Sequence, residues 1–65
     1  MTPDPKRLRA AREAAGLTQA AASAALACSL RTVSRWETGA TKPDDRDLRA
    51  IAAVYGCTVA ELGAP

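Results

Sequence analysis

Apolar residues along this chain of 65 recur at intervals of three and four and nowhere alternate, a pattern that predicts helices and no strands. Punctuation residues divide the pattern into five helices, at about 5-15, 19-26, 30-38, 45-55 and 59-63. Asp4 is placed to cap the first, and Pro5 suits its first turn, where a missing N–H costs nothing. Leu8, Ala11 and Ala15 share its inner face, Arg12 sits at the edge of that face, and Gly16 ends it. Thr18 caps a second helix made largely of alanine, QAAASAAL, whose flat surface lets another helix lie close. Ser29 caps a third, so the two are joined by a turn of about three residues, short enough to hold them at a fixed steep angle. Gly39 closes the third helix, and the loop GATKPD leads to Asp44, the expected cap of the fourth. Asp45 and Asp47 there complement the helix dipole, and Leu48, Ile51, Ala52 and Tyr55 form an apolar stripe ending at Gly56. Thr58 and Glu61 make a capping box for a last single turn that carries Leu62 inward.

The third helix carries the most information. At about 100° per residue, Thr32, Val33 and Trp36 fall on one side, with Leu30, Arg31, Ser34, Arg35 and Thr38 around the other. A buried Trp contributes about 150–250 Å² of burial, a large share for a chain without Phe, so Trp36 is expected to anchor the rear of this helix. Its front is short, polar and positive, with Arg31 and Arg35 projecting the same way. Such a face fits a DNA major groove, which is about 12 Å wide and admits one helix, and a guanidinium matches the O6 and N7 acceptors of guanine. Leu30 is positioned to touch a thymine methyl, and Ser29 or Ser34 to donate to a base or phosphate. Without further context, two exposed arginines on a helix read first as plain solvation.

Composition narrows the alternatives. A chain of this size forms one domain, residues 1-65, with a thin core. The net charge of +2 is small, but its distribution is not even. Between positions 6 and 35, Lys6, Arg7, Arg9, Arg12, Arg31 and Arg35 face Glu13 alone, whereas the remainder to the C-terminus is net acidic, so the front half is the candidate for meeting a polyanion. The absence of histidine removes the commonest general base, and no Ser or Cys lies in an activating motif; no enzyme, no catalytic residue and no cofactor is expected. Cys28 and Cys57 cannot supply a tetrahedral metal site alone and read as core thiols in a reducing compartment. No apolar run approaches the roughly 20 residues that cross a bilayer, and MTPDPKRLR lacks the apolar core of a signal peptide, so a cytoplasmic location is expected.

The segments LRAAREAAGLTQ, SLRTVSRWETGATKP and LRAIAAVYGCTVAEL together resemble the helix-turn-helix family of phage lambda repressor and Cro, the xenobiotic-response-element type. The resemblance runs from Leu8 to Leu62. It implies an all-α, compact five-helix DNA-binding domain whose second and third helices form the helix-turn-helix, with Ser29, Leu30, Arg31, Ser34 and Arg35 at base edges. It further implies phosphate contacts from Arg12, Thr18, Gln19, Thr41 and Lys42, with Glu37 orienting Arg12. One departure stands out: the family turn usually has glycine where this chain has Ala27, at a position that often takes a left-handed backbone, where alanine costs about 1 kcal/mol.

These readings lead to a sequence-specific regulator of double-stranded DNA, a repressor acting as a homodimer on a palindromic operator, with a dimer surface around Val54, Val59 and Ala60. The alternative is a protein-interaction module, such as an antitoxin or adaptor, that uses the same fold to hold a protein partner. RNA binding is the weakest reading, since Trp36 and Tyr55 are the only stacking surfaces and both are needed inside.

Overall fold

Short oxygen-bearing side chains start all four α-helices of the computed structural model, which describes residues 2–64. Asp4 accepts from the Lys6 amide at 2.9 Å ahead of α1 (Pro5–Ala14), and Thr18 from the Ala21 amide at 3.0 Å ahead of α2 (Gln19–Ala25). Ser29 accepts from the Thr32 amide at 3.1 Å ahead of α3 (Leu30–Thr38), and Asp44 from the Asp47 amide at 2.7 Å ahead of α4 (Asp45–Tyr55). Each bond satisfies an N–H that a helix start leaves without a carbonyl, and each is worth about 1 kcal/mol.

Three of the helices also end alike. The Leu17 amide donates to the Arg12 carbonyl at 3.2 Å, Cys28 to Ser23 at 3.0 Å and Cys57 to Ala52 at 3.0 Å. The residue before each donor has positive φ: Gly16 at 73°, Ala27 at 53° and Gly56 at 70°. This closure turns the following side chain back onto the domain, and Leu17, Cys28 and Cys57 all pack against the core. The two cysteines therefore serve as small apolar plugs beneath helix ends. Burial pushes both thiols up, Cys28 with a further contribution from Asp47 and Cys57 from Glu61, away from the thiolate that reactive cysteines need.

The core is one cluster drawn from every helix: Leu8, Ala22, Val33, Trp36, Leu48, Ile51, Ala52, Tyr55 and Leu62. Ala15 does not join it. It forms the cap of α1, where the chain already turns away through Gly16, and its side chain is exposed. Leu26 likewise caps α2 rather than extending it.

The expected fifth helix is the main difference. Thr58 and Glu61 do bond reciprocally, Glu61 N to Thr58 Oγ1 at 3.3 Å and Thr58 N to Glu61 Oε2 at 3.4 Å, but only a single 3-10 turn follows, Ala60–Leu62. The Leu62 carbonyl is taken by the Asp4 amide at 3.0 Å and the Gly63 carbonyl by Arg7 Nη1 at 3.0 Å, so the chain straightens instead of winding on. It forms a two-residue strand, β2 (Gly63–Ala64), antiparallel to β1 (Thr2–Pro3), with Thr2 opposite Ala64 and Pro3 opposite Gly63. The fold is thus all-α with four α-helices, closed by a minimal ladder between its two ends.

Ala27 is the one non-glycine residue with positive φ among those described. An L-residue with a Cβ is strained there by about 1–2 kcal/mol, partly offset in glycine by its greater freedom in the unfolded chain. Ala27→Gly is therefore expected to raise stability by about 0.5–1 kcal/mol in urea unfolding. An unchanged or lowered midpoint would show that the turn carries no such strain.

Candidate nucleic-acid interface

The connection between α2 and α3 is fixed from both sides. Ser23, buried in α2, donates its hydroxyl to the Ala20 carbonyl at 2.8 Å, and Ser29 bonds the Thr32 hydroxyl at 2.9 Å as well as the Thr32 amide. From this tight turn α3 is pinned at its rear by Val33 and Trp36, only 1% and 7% exposed. Its front is open. Leu30 is 51% exposed, the one large hydrophobic residue so placed among those described. Arg31 and Arg35 are exposed as well, Ser34 is half-buried, and Ser29 lies at the exposed start.

The charges around this face are unevenly occupied. Arg7 lies 3.9 Å from Asp4, Arg9 lies 3.5 Å from Glu13, and Arg12 is bound to Glu37. Arg31 and Arg35 have no acidic partner within ion-pair distance among the described residues, so their guanidinium donors are unspent. Thr41 and Lys42 are exposed in the loop after α3, which the Thr41 amide ties to the Arg35 carbonyl at 3.4 Å.

Behind this face lies a buried polar hub. Arg12, 8% exposed near the end of α1, donates from Nε to Glu37 Oε2 at 2.6 Å and from Nη2 to Oε1 at 3.0 Å, while Nη1 reaches the Leu17 carbonyl at 2.7 Å. Gln19, in the first turn of α2, donates Nε2 to the same Glu37 Oε1 at 3.1 Å. One carboxylate in the last turn of α3 thus receives donors from α1 and α2. Hydrogen bonding to Glu37 holds the Arg12 guanidinium above its ordinary pKa, against the opposing effect of burial.

The expected site residues therefore fall into three groups. Ser29, Leu30, Arg31, Ser34 and Arg35 share α3 and its cap; Thr18 and Gln19 share the start of α2; Thr41 and Lys42 share the following loop. Arg12 stands apart from them. Each of its nitrogens is engaged inside the protein, which makes it a group that holds Glu37 rather than one that reaches outward. The part played by the Leu17 carbonyl, and the use of the Gln19 amide nitrogen on Glu37, had no signal in the sequence.

Removing one member of a buried pair leaves an uncompensated charge, at a cost of about 3–5 kcal/mol. Arg12→Met and Glu37→Met are each expected to lose that much in denaturant unfolding, and the double variant distinctly less than the two losses added. Simple addition would mean that the two side chains are not coupled.

Tyr55, buried in α4, has its phenol pushed up to about 12 by burial and by the nearby Glu37 carboxylate. An unfolded tyrosine titrates near about 10, so the folded state holds a proton that the unfolded state loses between those values, and stability falls as pH rises from about 10 to about 12. Tyr55→Phe is expected to make that decline shallower in pH-dependent unfolding, leaving the part due to the raised Cys28 and Cys57 thiols. The tyrosinate absorbance of this sole tyrosine reads the titration directly; a midpoint near the unfolded value would remove the effect.

Comparison with known proteins returned a match to the helix-turn-helix domain family over residues 6–64, and no match among curated proteins or solved structures. With the capped α2, the four-residue connection 26–29 and the anchored α3 already established, that match spans nearly the whole chain: the protein belongs to the helix-turn-helix domain family.

Proposed function

We propose that this protein is a sequence-specific regulator of transcription, of the lambda repressor and Cro type, that inserts α3 into the major groove of double-stranded DNA and represses as a homodimer. The observation that carries this reading is the pair Arg31 and Arg35, exposed one turn apart with no internal acid, on a helix anchored behind by Trp36. A guanidinium fork whose donors are unspent is suited to the paired acceptors of guanine. Leu30 beside them offers an apolar contact for a thymine methyl, and Ser29 and Ser34 offer hydroxyls.

Phosphate contacts come from the margins of this face. Lys42 and Thr41 supply a charge and a hydroxyl from the loop, and the start of α2 at Thr18 and Gln19 supplies first-turn amides. Arg12 acts at one remove, as a positioning residue: it holds Glu37, which holds Gln19. A monomer with so few contacts binds weakly, and a twofold dimer reading half-sites about 34 Å apart multiplies the interaction.

Selection from a random duplex library, followed by footprinting, tests the reading. Arg31→Ala and Arg35→Ala are each expected to weaken binding to the selected site by about 5- to 150-fold and to relax preference at one base pair. Lys42→Ala is expected to weaken all sequences evenly and to reduce the salt slope by about 1. Failure to enrich any motif, or full binding by the double arginine variant, would favour a protein-interaction module instead.

A further inference from the structure

Asp45 and Arg49 stand one turn apart on α4, acid before base, the order that favours an ion pair within a helix. Yet they are not within ion-pair distance of one another or of any other charged group among the described residues. Between them opens a depression of about 340 Å³ whose third lining residue is Val59, half-buried just before the 3-10 turn. The residues of the outer row of α4 beside it, Arg46, Arg49, Ala50 and Ala53, are each exposed, and the alanines leave room for close approach. Val54 is not part of this patch. At about 100° per residue it points roughly opposite Asp45, so the surface expected from Val54, Val59 and Ala60 is divided by the helix itself.

We infer that the Asp45–Arg49–Val59 patch is the docking surface for a second copy of this chain. A twofold interface requires a surface that is its own complement, since every contact is made twice with the roles exchanged. One unpaired acid and one unpaired base that line a shared hollow with Val59 meet that requirement. Arg49 of each copy bonds Asp45 of the other, and the Val59 walls close over the hollow between the two ion pairs. Like charges brought together there oppose docking as strongly as unlike charges favour it. This inference rests on the homodimer reading above and gives it an address.

Sedimentation of the full chain across a concentration series, without DNA, tests it. The unaltered protein is expected to dimerise, and Asp45→Arg or Arg49→Asp alone to raise the dissociation constant by at least about tenfold. In a mixture of these two variants each cation again meets an acid, so the mixture, and the chain carrying both substitutions, are expected to regain dimerisation. A chain that stays monomeric at every concentration, or a mixture that does not recover, overturns the inference. Both positions are exposed, and circular dichroism confirms that each variant keeps its helices; Asp45→Asn and Arg49→Gln, which weaken the pair without reversing it, replace any variant that does not. A monomer that still selects a DNA motif removes this surface and leaves the groove reading intact, whereas a dimer that selects none does the reverse.

Discussion

The Glu37 carboxylate is the constraint on which the working geometry of this protein depends. Three helices meet at it: α3 contributes the acid, α1 the guanidinium of Arg12, and α2 the amide of Gln19. The apolar contacts available in the same region are modest, because α2 offers mainly alanine. Alanine lets helices approach but grips nothing, so it sets distance and not angle. A two-pronged bond between a guanidinium and a carboxylate does set angle, since both planes must align. The two-pronged bond therefore fixes the relative orientation of α1 and α3, and the single bond from Gln19 ties the start of α2 to the same carboxylate. The hub's net contribution to stability is opposed by desolvation, and its larger effect is on which arrangement is adopted.

That same hub changes how the positive charge of the chain is distributed. The sequence concentrates cations in its front half, but three of them, Arg7, Arg9 and Arg12, lie against acids. Of the cations without an acid at ion-pair distance among the described residues, Arg31, Arg35 and Lys42 lie on α3 and the loop after it, Arg46 and Arg49 on α4, and Lys6 on α1. A charge count along the sequence treats all arginines alike, whereas the structure separates those that organise the fold from those left facing solvent.

How much could be read beforehand follows from the range of each interaction. Asp4, Thr18, Ser29 and Asp44 cap helices through bonds spanning two or three residues, and such signals are visible in any short window. Leu48, Ile51, Ala52 and Tyr55 were legible because their spacing repeats along one helix. The pairing of β1 with β2 was not, since a strand of two residues cannot alternate and its partner lies at the far end of the chain. The burial of Arg12 was half legible: a helical wheel places it at the edge of the packed side, and only Glu37, 25 positions away, decides that it turns inward. The resemblance supplied that pairing, but not that Gln19 would spend a donor on the same oxygen.

The short ladder between the two ends has a mechanical consequence. Thr2 faces Ala64 at its outer rung and Pro3 faces Gly63 at its inner one, so tension applied to both ends of the chain would load the rungs in sequence and not together. Antiparallel strands pulled from the same end peel like a zip, and peeling resists far less force than sliding. Stretching would thus strip the ladder, then the Asp4 amide from the Leu62 carbonyl, before any load reached α3, leaving the buried indole of Trp36 among the last parts to yield.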